Sequence, residues 1–204
     1  VSKAWCTDLG VEVASLGVQV HGGMGYVEET GAAQHYRDAR IAPIYEGTNG
    51  IQALDLMTRK LPMQGGGVVQ ALLAQIRSDC AALSGRDEAA FGDIHRHLQP
   101  AVEALDKVTR AVLQGLSGDA AGTIGGATPF LRMTGTVLGG WLLAKSAIAA
   151  READPQGDRT FTRAKIETAR FYATQVLSQA PGMAPAVLEG AEGLASFDTD
   201  LLVA

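Results

Sequence analysis

The chain has 204 residues, of which 47% are hydrophobic and 19% are charged, and its formal net charge is −5. This composition predicts one or two globular domains with a sizeable apolar core. Lys and Arg form no clustered excess, so nucleic acid is excluded as a partner. A membrane span is also excluded, because the most apolar run, residues 136–150, is too short and contains Lys145.

The two cysteines, Cys6 and Cys80, form neither a CxxC pair nor a disulfide framework. No segment has the pattern of a signal peptide. These observations favour a reducing, cytoplasmic location. No metal site is predicted, since His95 and His97 are two residues apart and would lie on different faces of a helix.

The first third of the chain contains two predicted helices that are separated by a glycine-rich turn. The first helix spans residues 3–20 and ends at the segment "HGGMGY", because three glycines in four residues disfavour a helix. A short connection follows. The second helix begins at Thr48 or Asn49, either of which can cap its free N–H groups, and continues to Lys60. The apolar face of the first helix consists of Trp5, Leu9, Val13, Leu16 and Val20.

A boundary is predicted at "LPMQGGG", residues 61–67, where a helix-stopping proline precedes three glycines. Two apolar faces with helical spacing follow it, and Pro100 is expected to bend or split the second of these helices. The first face consists of Val68, Leu72, Ile76, Cys80 and Leu83. The second consists of Phe91, Ile94, Leu98, Val102, Leu105, Val108, Val112 and Leu116.

Two more helices are predicted, over residues 128–152 and 159–179, before a tail that holds one short helix and an irregular end. Strand-like alternation is absent, so the sequence predicts an all-α fold. Residues 67–180 are expected to form an antiparallel bundle of about four helices. The predicted domains are therefore residues 1–62 and residues 63–204.

Glu46 lies in "APIYEGTNG", between an apolar approach and a run of small residues. Two interpretations are open. A glutamate at the start of a helix commonly complements the positive end of the helix dipole. An acid in this setting can instead lie in an apolar pocket, where burial raises the pKa of a carboxyl group, as a general base near neutral pH requires.

Two other motifs also have two interpretations each. The glycines of "HGGMGY" either let a phosphate or planar ligand approach the backbone closely or form a plain helix C-terminus. In "YRDAR", the residues Arg37, Asp38 and Arg40 favour a local ion-pair network that orders a loop, with anion binding as the alternative.

Three segments taken together resemble the C-terminal part of the flavin-dependent acyl-CoA dehydrogenases. The family has a Gln-x-x-Gly-Gly-x-Gly-aromatic segment, then Arg-Asp-x-Arg, then Tyr-Glu-Gly-Thr-x-x-Ile-Gln, and all three occur in that order within residues 1–61. The matching residues are Gln19, Gly22, Gly23, Gly25, Tyr26, Arg37, Asp38, Arg40, Tyr45, Glu46, Gly47, Thr48, Ile51 and Gln52. The pattern after residue 62 resembles the extra helical domain of longer members, including the 3-methylmercaptopropionyl-CoA dehydrogenase branch.

The resemblance implies how this chain would take part in the reaction on an acyl-CoA substrate. Glu46 stands at the position of the base that removes the proton next to the thioester carbonyl, while hydride leaves the β-carbon for FAD. Glu46 and Gly47 are expected to bind the substrate. The backbone N–H of Glu46 would hold the thioester oxygen and stabilise its developing charge.

The resemblance also implies FAD-binding residues. Thr48 matches a family residue that contacts FAD, and Gly50 stands where several members carry a glutamine that touches the flavin. Gln19, Gly22 and Gly23 match a segment that reaches the FAD of a neighbouring subunit.

The implied partners are an electron-transfer flavoprotein and further copies of the chain in a dimer or tetramer. The family has an N-terminal helical domain and a β-domain that have no counterpart in this sequence. We therefore expect a C-terminal piece of a longer enzyme that is inactive by itself. The alternative is a non-catalytic helical module for oligomerisation or interaction.

Overall fold

The structure is a computed structural model that describes residues 1–86, 88–157, 159–189 and 198–202. Every regular element in these ranges is helical, which confirms the all-α prediction. The α-helices are α1 Ser2–Val20, α2 Gly23–Tyr26, α3 Ala32–Ala39, α4 Asn49–Asp55, α5 Gly67–Ala81, α6 Glu88–Gly118, α7 Ala120–Ile124, α8 Ala127–Ala153, α9 Thr160–Gln175 and α10 Ala184–Leu188. A π-helix spans Leu56–Lys60, and the 3-10 helices are Glu28–Thr30, Met63–Gly66, Leu177–Met183 and Thr199–Leu202.

The first helix is confirmed, and α1 packs against α3 and α4. Its predicted apolar face is only partly covered, because Val13, Leu16 and Val20 are 64%, 56% and 86% exposed. The short connection predicted after the glycine turn is wrong, since this region contains a 3-10 helix and α3. Gly31, at a φ of +74°, lets the chain turn between these two elements.

The second predicted helix also begins where expected. Thr48 is its N-cap, and its Oγ1 accepts a hydrogen bond from the Ile51 N–H at 3.4 Å. After α4 the chain widens into the π-helix, in which the Leu61 N–H donates to the Leu56 carbonyl at 2.8 Å.

Helices α5, α6, α8 and α9 form the predicted antiparallel bundle. The predicted face of α6 is buried from Phe91 to Val112, and Leu116 is half-buried. Pro100 does not split α6, which is continuous across it. The predicted face of α5 is wrong in its first two turns, because Val68 is 44% exposed and Leu72 is 37% exposed. The α5 residues that enter the core are Leu73, Ile76 and Cys80.

The last elements differ slightly from the prediction. Helix α9 ends at Gln175 rather than residue 179, and the 3-10 helix Leu177–Met183 continues from it before the short α10. The rest of the tail prediction concerns residues 190–197 and 203–204, which lie outside the described residues. Within the described residues, no helix is long and apolar enough to cross a membrane.

Glycines on α8 allow close packing. A Cβ at Gly135 would lie 2.3 Å from Cγ of Trp5, and one at Gly140 would lie 2.7 Å from Cδ2 of Leu177. The first contact seats the indole of Trp5 against α8, so α1 is attached to the bundle through this glycine surface. Helix α4 also packs on α8.

Candidate functional site

Glu46 lies in the loop between α3 and α4, at a position of backbone strain. Its φ is +57°, and the φ of the following Gly47 is +77°. A left-handed conformation is easy for glycine but costs a residue with a Cβ about 1–2 kcal/mol. Such strain persists only where surrounding contacts hold it, and it concentrates at functional sites.

Asn49 is the residue that fastens this loop to α1. Its Nδ2 lies 3.1 Å from the Ala4 carbonyl, 2.9 Å from Thr7 Oγ1 and 2.6 Å from Asp8 Oδ1. Its backbone N–H donates to the Pro43 carbonyl at 3.1 Å, which closes the loop around Glu46. One side chain therefore joins the loop to three residues in the first two turns of α1.

Lys3 provides a second attachment on the same helix. Its Nζ donates to the Gly47 carbonyl at 2.9 Å and to Asn49 Oδ1 at 2.7 Å. The ammonium also lies 6.0 Å from the centroid of the Tyr45 ring, within the range of a cation–π contact. Lys3 thus contacts the residues on both sides of Glu46.

The remaining polar groups of the loop include one further hydrogen bond and two backbone N–H groups without a partner among the described residues. Gln52 Nε2 donates to the Glu46 carbonyl at 3.1 Å. By contrast, the N–H groups of Glu46 and Gly47 have no partner among the described residues. A side chain at Gly47 would press on Gln52, since a Cβ there would lie 3.2 Å from Nε2. The loop therefore presents a carboxylate together with unpaired backbone donors.

The burial that an apolar pocket would give Glu46 is absent from this chain. Glu46 is exposed, and so are Thr48 and Gly50. The hydroxyl oxygen of Thr48 already accepts the capping hydrogen bond, but its O–H remains able to donate. Of the predicted site residues, the structure brings together Glu46, Gly47, Thr48 and Gly50 in one exposed turn.

The glycine turn at the other end of α1 is both a helix C-terminus and an open stretch of backbone. The Gly22 N–H donates to the Gln19 carbonyl at 3.0 Å, which ends the helix. Gly22 has a φ of +61°, and a Cβ at Gly22 or Gly23 would meet no atom within 4 Å. Gly25 differs, because a Cβ there would lie 2.2 Å from the Val18 carbonyl oxygen. Gly25 is therefore needed for packing, whereas Gly22 and Gly23 leave room for a ligand.

The structure does not bring these glycines to Glu46. The loop is fastened at Lys3, and Gln19 lies 16 residues later in the same helix, a distance of about 24 Å along the axis at about 1.5 Å per residue. The predicted site residues thus form two groups at opposite ends of α1.

The predicted ion-pair network of "YRDAR" is wrong. Arg37 pairs with Glu28, with Nη1–Oε1 and Nη2–Oε2 distances of 2.8 and 2.7 Å. The hydrogen bond from Arg37 lowers the pKa of Glu28. This pair ties the 3-10 helix to α3, because the side chain of Arg37 turns back along the chain instead of towards its neighbour Asp38.

Sequence reasoning missed Lys3 and considered Asn49 only as a cap. Neither has a local signal, because each acts on a partner more than 40 residues away in the chain. The described residues also contain no group of three or more His, Cys, Asp or Glu side chains that could hold a metal ion.

Comparison with known proteins identifies the family of this chain. A model of the acyl-CoA dehydrogenase C-terminal domain matches residues 1–61, and a model described as acetyl-CoA dehydrogenase C-terminal like matches residues 72–198. The chain is 46% identical over 176 residues to the 3-methylmercaptopropionyl-CoA dehydrogenase of Ruegeria pomeroyi, which covers 86% of this chain and 30% of the relative.

Two further relatives are more distant or match a shorter segment. The broad-specificity linear acyl-CoA dehydrogenase FadE5 of Mycobacterium tuberculosis is 30% identical over 195 residues, 91% of this chain and 30% of the relative. The human mitochondrial short-chain specific acyl-CoA dehydrogenase is 46% identical over 54 residues, 26% of this chain and 13% of the relative. The chain spans about 30% of the length of the first two relatives. It belongs to the acyl-CoA dehydrogenase family.

Proposed function

We propose that this chain supplies the catalytic base of an enzyme that oxidises an acyl-CoA thioester between its α- and β-carbons. Glu46 takes the α-proton, and its carboxylate becomes a carboxylic acid. FAD, when bound, accepts the hydride from the β-carbon, so that the two hydrogens lost leave a carbon–carbon double bond. The names of all three relatives described above specify acyl-CoA dehydrogenation, which supports this reaction class.

The observation that carries the proposal is the strained loop that holds Glu46. Its carboxylate is exposed on a turn that Asn49 and Lys3 fix to α1, and the adjacent N–H groups of Glu46 and Gly47 have no partner among the residues described. Removal of an α-proton puts negative charge on the thioester oxygen. A fixed backbone donor next to the base stabilises that charge at the moment it develops.

The residues at both ends of α1 fit the binding of FAD. Backbone that is open at Gly22 and Gly23 suits a ligand that approaches the main chain closely, and Gln19 lies one turn before it. At the Glu46 loop, the exposed Thr48 can donate its O–H in a hydrogen bond. Gly50 adds no side chain at its own position in the first turn of α4, which leaves its backbone accessible. We assign these five residues to FAD, with electrons passing on to an electron-transfer flavoprotein.

We further propose that the rest of the enzyme encloses Glu46 and that residues 1–204 alone do not turn over substrate. The exposure of Glu46, Thr48 and Gly50 supports this, because a general base works best where water is excluded. In the same proposal, residues 1–62 complete the catalytic helical bundle and residues 63–204 form an additional helical domain. The enzyme is cytoplasmic and forms a dimer or tetramer.

The test uses the intact protein that contains this chain, mixed with acyl-CoA under anaerobic conditions while flavin absorbance is followed. Glu46→Gln keeps the shape of the side chain and removes the base, so FAD should stay bound while its reduction slows by roughly 100- to 10,000-fold. Glu29→Gln, a matched loss of one exposed carboxylate in the 3-10 helix, should leave the rate unchanged. Flavin reduction at the normal rate in Glu46→Gln would refute the role of Glu46.

A second candidate function is a helical interaction module, and the uncovered face of α1 favours it. Val13, Leu16 and Val20 lie at spacings of three and four and are 64%, 56% and 86% exposed. Contiguous apolar surface of this kind marks an interface. Under this function the isolated chain dimerises, and light scattering after size-exclusion chromatography distinguishes a dimer from a monomer. Val13→Lys with Leu16→Lys should abolish a dimer that forms through this face.

A further inference from the structure

Gln52 is a half-buried polar residue of α4 that contacts the loop of the candidate base. Its backbone N–H donates to the Thr48 carbonyl at 3.0 Å, as in a regular helix. Its side chain instead reaches back six residues, and Nε2 donates to the Glu46 carbonyl at 3.1 Å. Among the described residues, Gln52 is the one donor to that carbonyl.

The helix that carries Gln52 is held firmly in the fold. Ala53, the next residue, is buried, and so is Met57 one turn later. Helix α4 packs on both α1 and α8. A packed helix positions a side chain more precisely than a loop does. The position of the Gln52 amide is therefore set by α4 and not by the loop on which it acts.

The hydrogen bond from Gln52 acts on the peptide group between Glu46 and Gly47. This group is planar, so the Glu46 carbonyl and the Gly47 N–H point in opposite directions and rotate as one unit. Such a rotation would change ψ of Glu46 and φ of Gly47 together. Glycine adopts positive and negative φ about equally readily, so Gly47 does not select its φ of +77° by itself. The bond to Gln52 does select it, because a rotated carbonyl would turn away from Nε2.

The space beside Gly47 fits this arrangement. A Cβ at Gly47 would lie 3.2 Å from Gln52 Nε2, so the amide lies directly against the glycine. The following carbonyl, that of Gly47, is fixed by a different helix, since it accepts a hydrogen bond from Lys3 of α1 at 2.9 Å. Of these two bonds, the one from Gln52 acts on the main chain of Glu46 itself.

We propose that Gln52 is a positioning residue of the active site, an inference that rests on the proposed role of Glu46 as the base. By donating to the Glu46 carbonyl, Gln52 holds the base in its left-handed conformation and keeps the Gly47 N–H turned away from α4. A hydrogen bond to a carbonyl also polarises its peptide group, which makes the Gly47 N–H a stronger donor. Gln52 acts through Glu46 and transfers no proton.

The test uses the intact protein that contains this chain, mixed anaerobically with increasing concentrations of acyl-CoA. The rate of flavin reduction is expressed per bound FAD. Gln52→Met keeps an unbranched side chain of similar length and removes the donor. Its limiting rate should fall by between about fivefold, the effect of one lost hydrogen bond, and about 100-fold, the effect of a misplaced reacting group. The half-saturating concentration of acyl-CoA should change little, because the defect affects the step after binding.

Two further variants separate the hydrogen bond from general effects of substitution. Gln99→Met makes the same chemical change at an exposed glutamine of α6, whose Nε2 donates to Glu103 at 3.0 Å, and should keep the native limiting rate. Gln52→Lys returns N–H donors to position 52 on a slightly longer chain. Its limiting rate should lie above that of Gln52→Met.

Several results would overturn the proposal. One is a native limiting rate in Gln52→Met, and another is a loss of FAD content with an unchanged rate per bound flavin. A Gln52→Lys variant as slow as Gln52→Met would show that the donor is not the cause. Glu46→Gln in the same assay separates this inference from the proposed function. If Glu46→Gln blocks flavin reduction while Gln52→Met is native, the positioning role alone fails; if Glu46→Gln is itself native, the role of the base fails.

Discussion

The attachment of the Glu46 loop to α1 predicts a specific effect of replacing Asn49 with Asp. The new side chain has the same shape, but it exchanges the Nδ2 donor for a carboxylate oxygen. That oxygen would face Asp8 Oδ1, which lies 2.6 Å from Nδ2, and it could no longer donate to Ala4 or Thr7. The Glu46 loop should therefore detach from α1 more often.

The size of the effect follows from the contacts. Two like charges relaxed to about 4 Å repel by about 1 kcal/mol in water and about 4 kcal/mol near a protein surface. The lost neutral hydrogen bonds add about 1 kcal/mol each. Two effects of the new carboxylate oppose this loss: it forms a stronger pair with Lys3, and its negative charge interacts favourably with the positive end of the α4 dipole. Together they offset about 1–2 kcal/mol of the destabilisation. The net loosening of the loop is about 2–3 kcal/mol.

Hydrogen exchange measures this loosening directly. The amide at position 49 donates to the Pro43 carbonyl and that of Gln52 to the Thr48 carbonyl, so both are protected while the loop is attached. A loss of about 2 kcal/mol should speed their exchange roughly 30-fold, with little change in the amides of α9.

A second substitution decides whether charge repulsion is the cause. Asp8→Asn in the Asn49→Asp background restores one neutral partner opposite the new carboxylate and should return most of the protection. Asn49→Ala, which removes the bonds without adding charge, should give an intermediate rate. Exchange at the wild-type rate in Asn49→Asp, or no recovery in the double variant, would refute the assigned role of Asn49.

Three further predictions concern the packing around the site. The indole N–H of Trp141 donates to Asp79 and lowers the pKa of this carboxyl. Asp79→Asn should therefore cost about 1 kcal/mol of unfolding free energy at pH 7, a difference that is lost as the pH falls through the lowered pKa and Asp79 becomes protonated. Burial raises the pKa of the Cys80 thiol to about 11, so a maleimide at pH 8 should modify the exposed Cys6 about 100-fold faster, as peptide mass spectrometry would detect. Gly135→Ala should push the indole of the first helix off α8 and lower Tm by about 2–10 °C in calorimetry.

Elements whose cause is local were predictable from the sequence. The Thr48 cap sets the start of α4 through a bond to a backbone group three residues away. The buried face of α6 from Phe91 to Val112 follows from the helical spacing of its apolar residues alone, because neighbouring helices cover this face. Of the two outcomes predicted for Pro100, the split is wrong, because α6 is continuous across it: the burial of this stripe outweighs the one hydrogen bond that a proline removes.

The contacts that shape the site have causes far away in the chain. The hydrogen bond between Lys3 and Asn49 joins residues that are more than 40 positions apart in the chain, and no periodic pattern in the sequence identifies either residue. The strained backbone at Glu46 depends on those same contacts. The error at Val68 and Leu72 is of another kind, because spacing identifies an apolar face but not whether a neighbouring helix covers it.

The separation of the two groups along α1 leads to a last prediction. A rigid helix holds Gln19 and its glycine turn about 24 Å from the Glu46 loop, so the two groups of one subunit are expected to serve different active sites. A symmetric oligomer then builds each site from Glu46 of one subunit and the glycine turn of another. Gly23→Leu is suited to test this, because its side chain meets open space in the chain but would block a ligand.

Intact protein that carries Glu46→Gln should be mixed with intact protein that carries Gly23→Leu, and the subunits exchanged by unfolding and refolding. Each parent should be inactive alone. In a hybrid dimer one of the two sites receives both native groups and the other receives both substitutions. Since random pairing makes about half of all dimers hybrids, about a quarter of native activity should return. The prediction is refuted if hybrids are detected by mass spectrometry but activity does not return. Both groups would then serve one site within a subunit, and a single ligand would have to span the distance of about 24 Å between them.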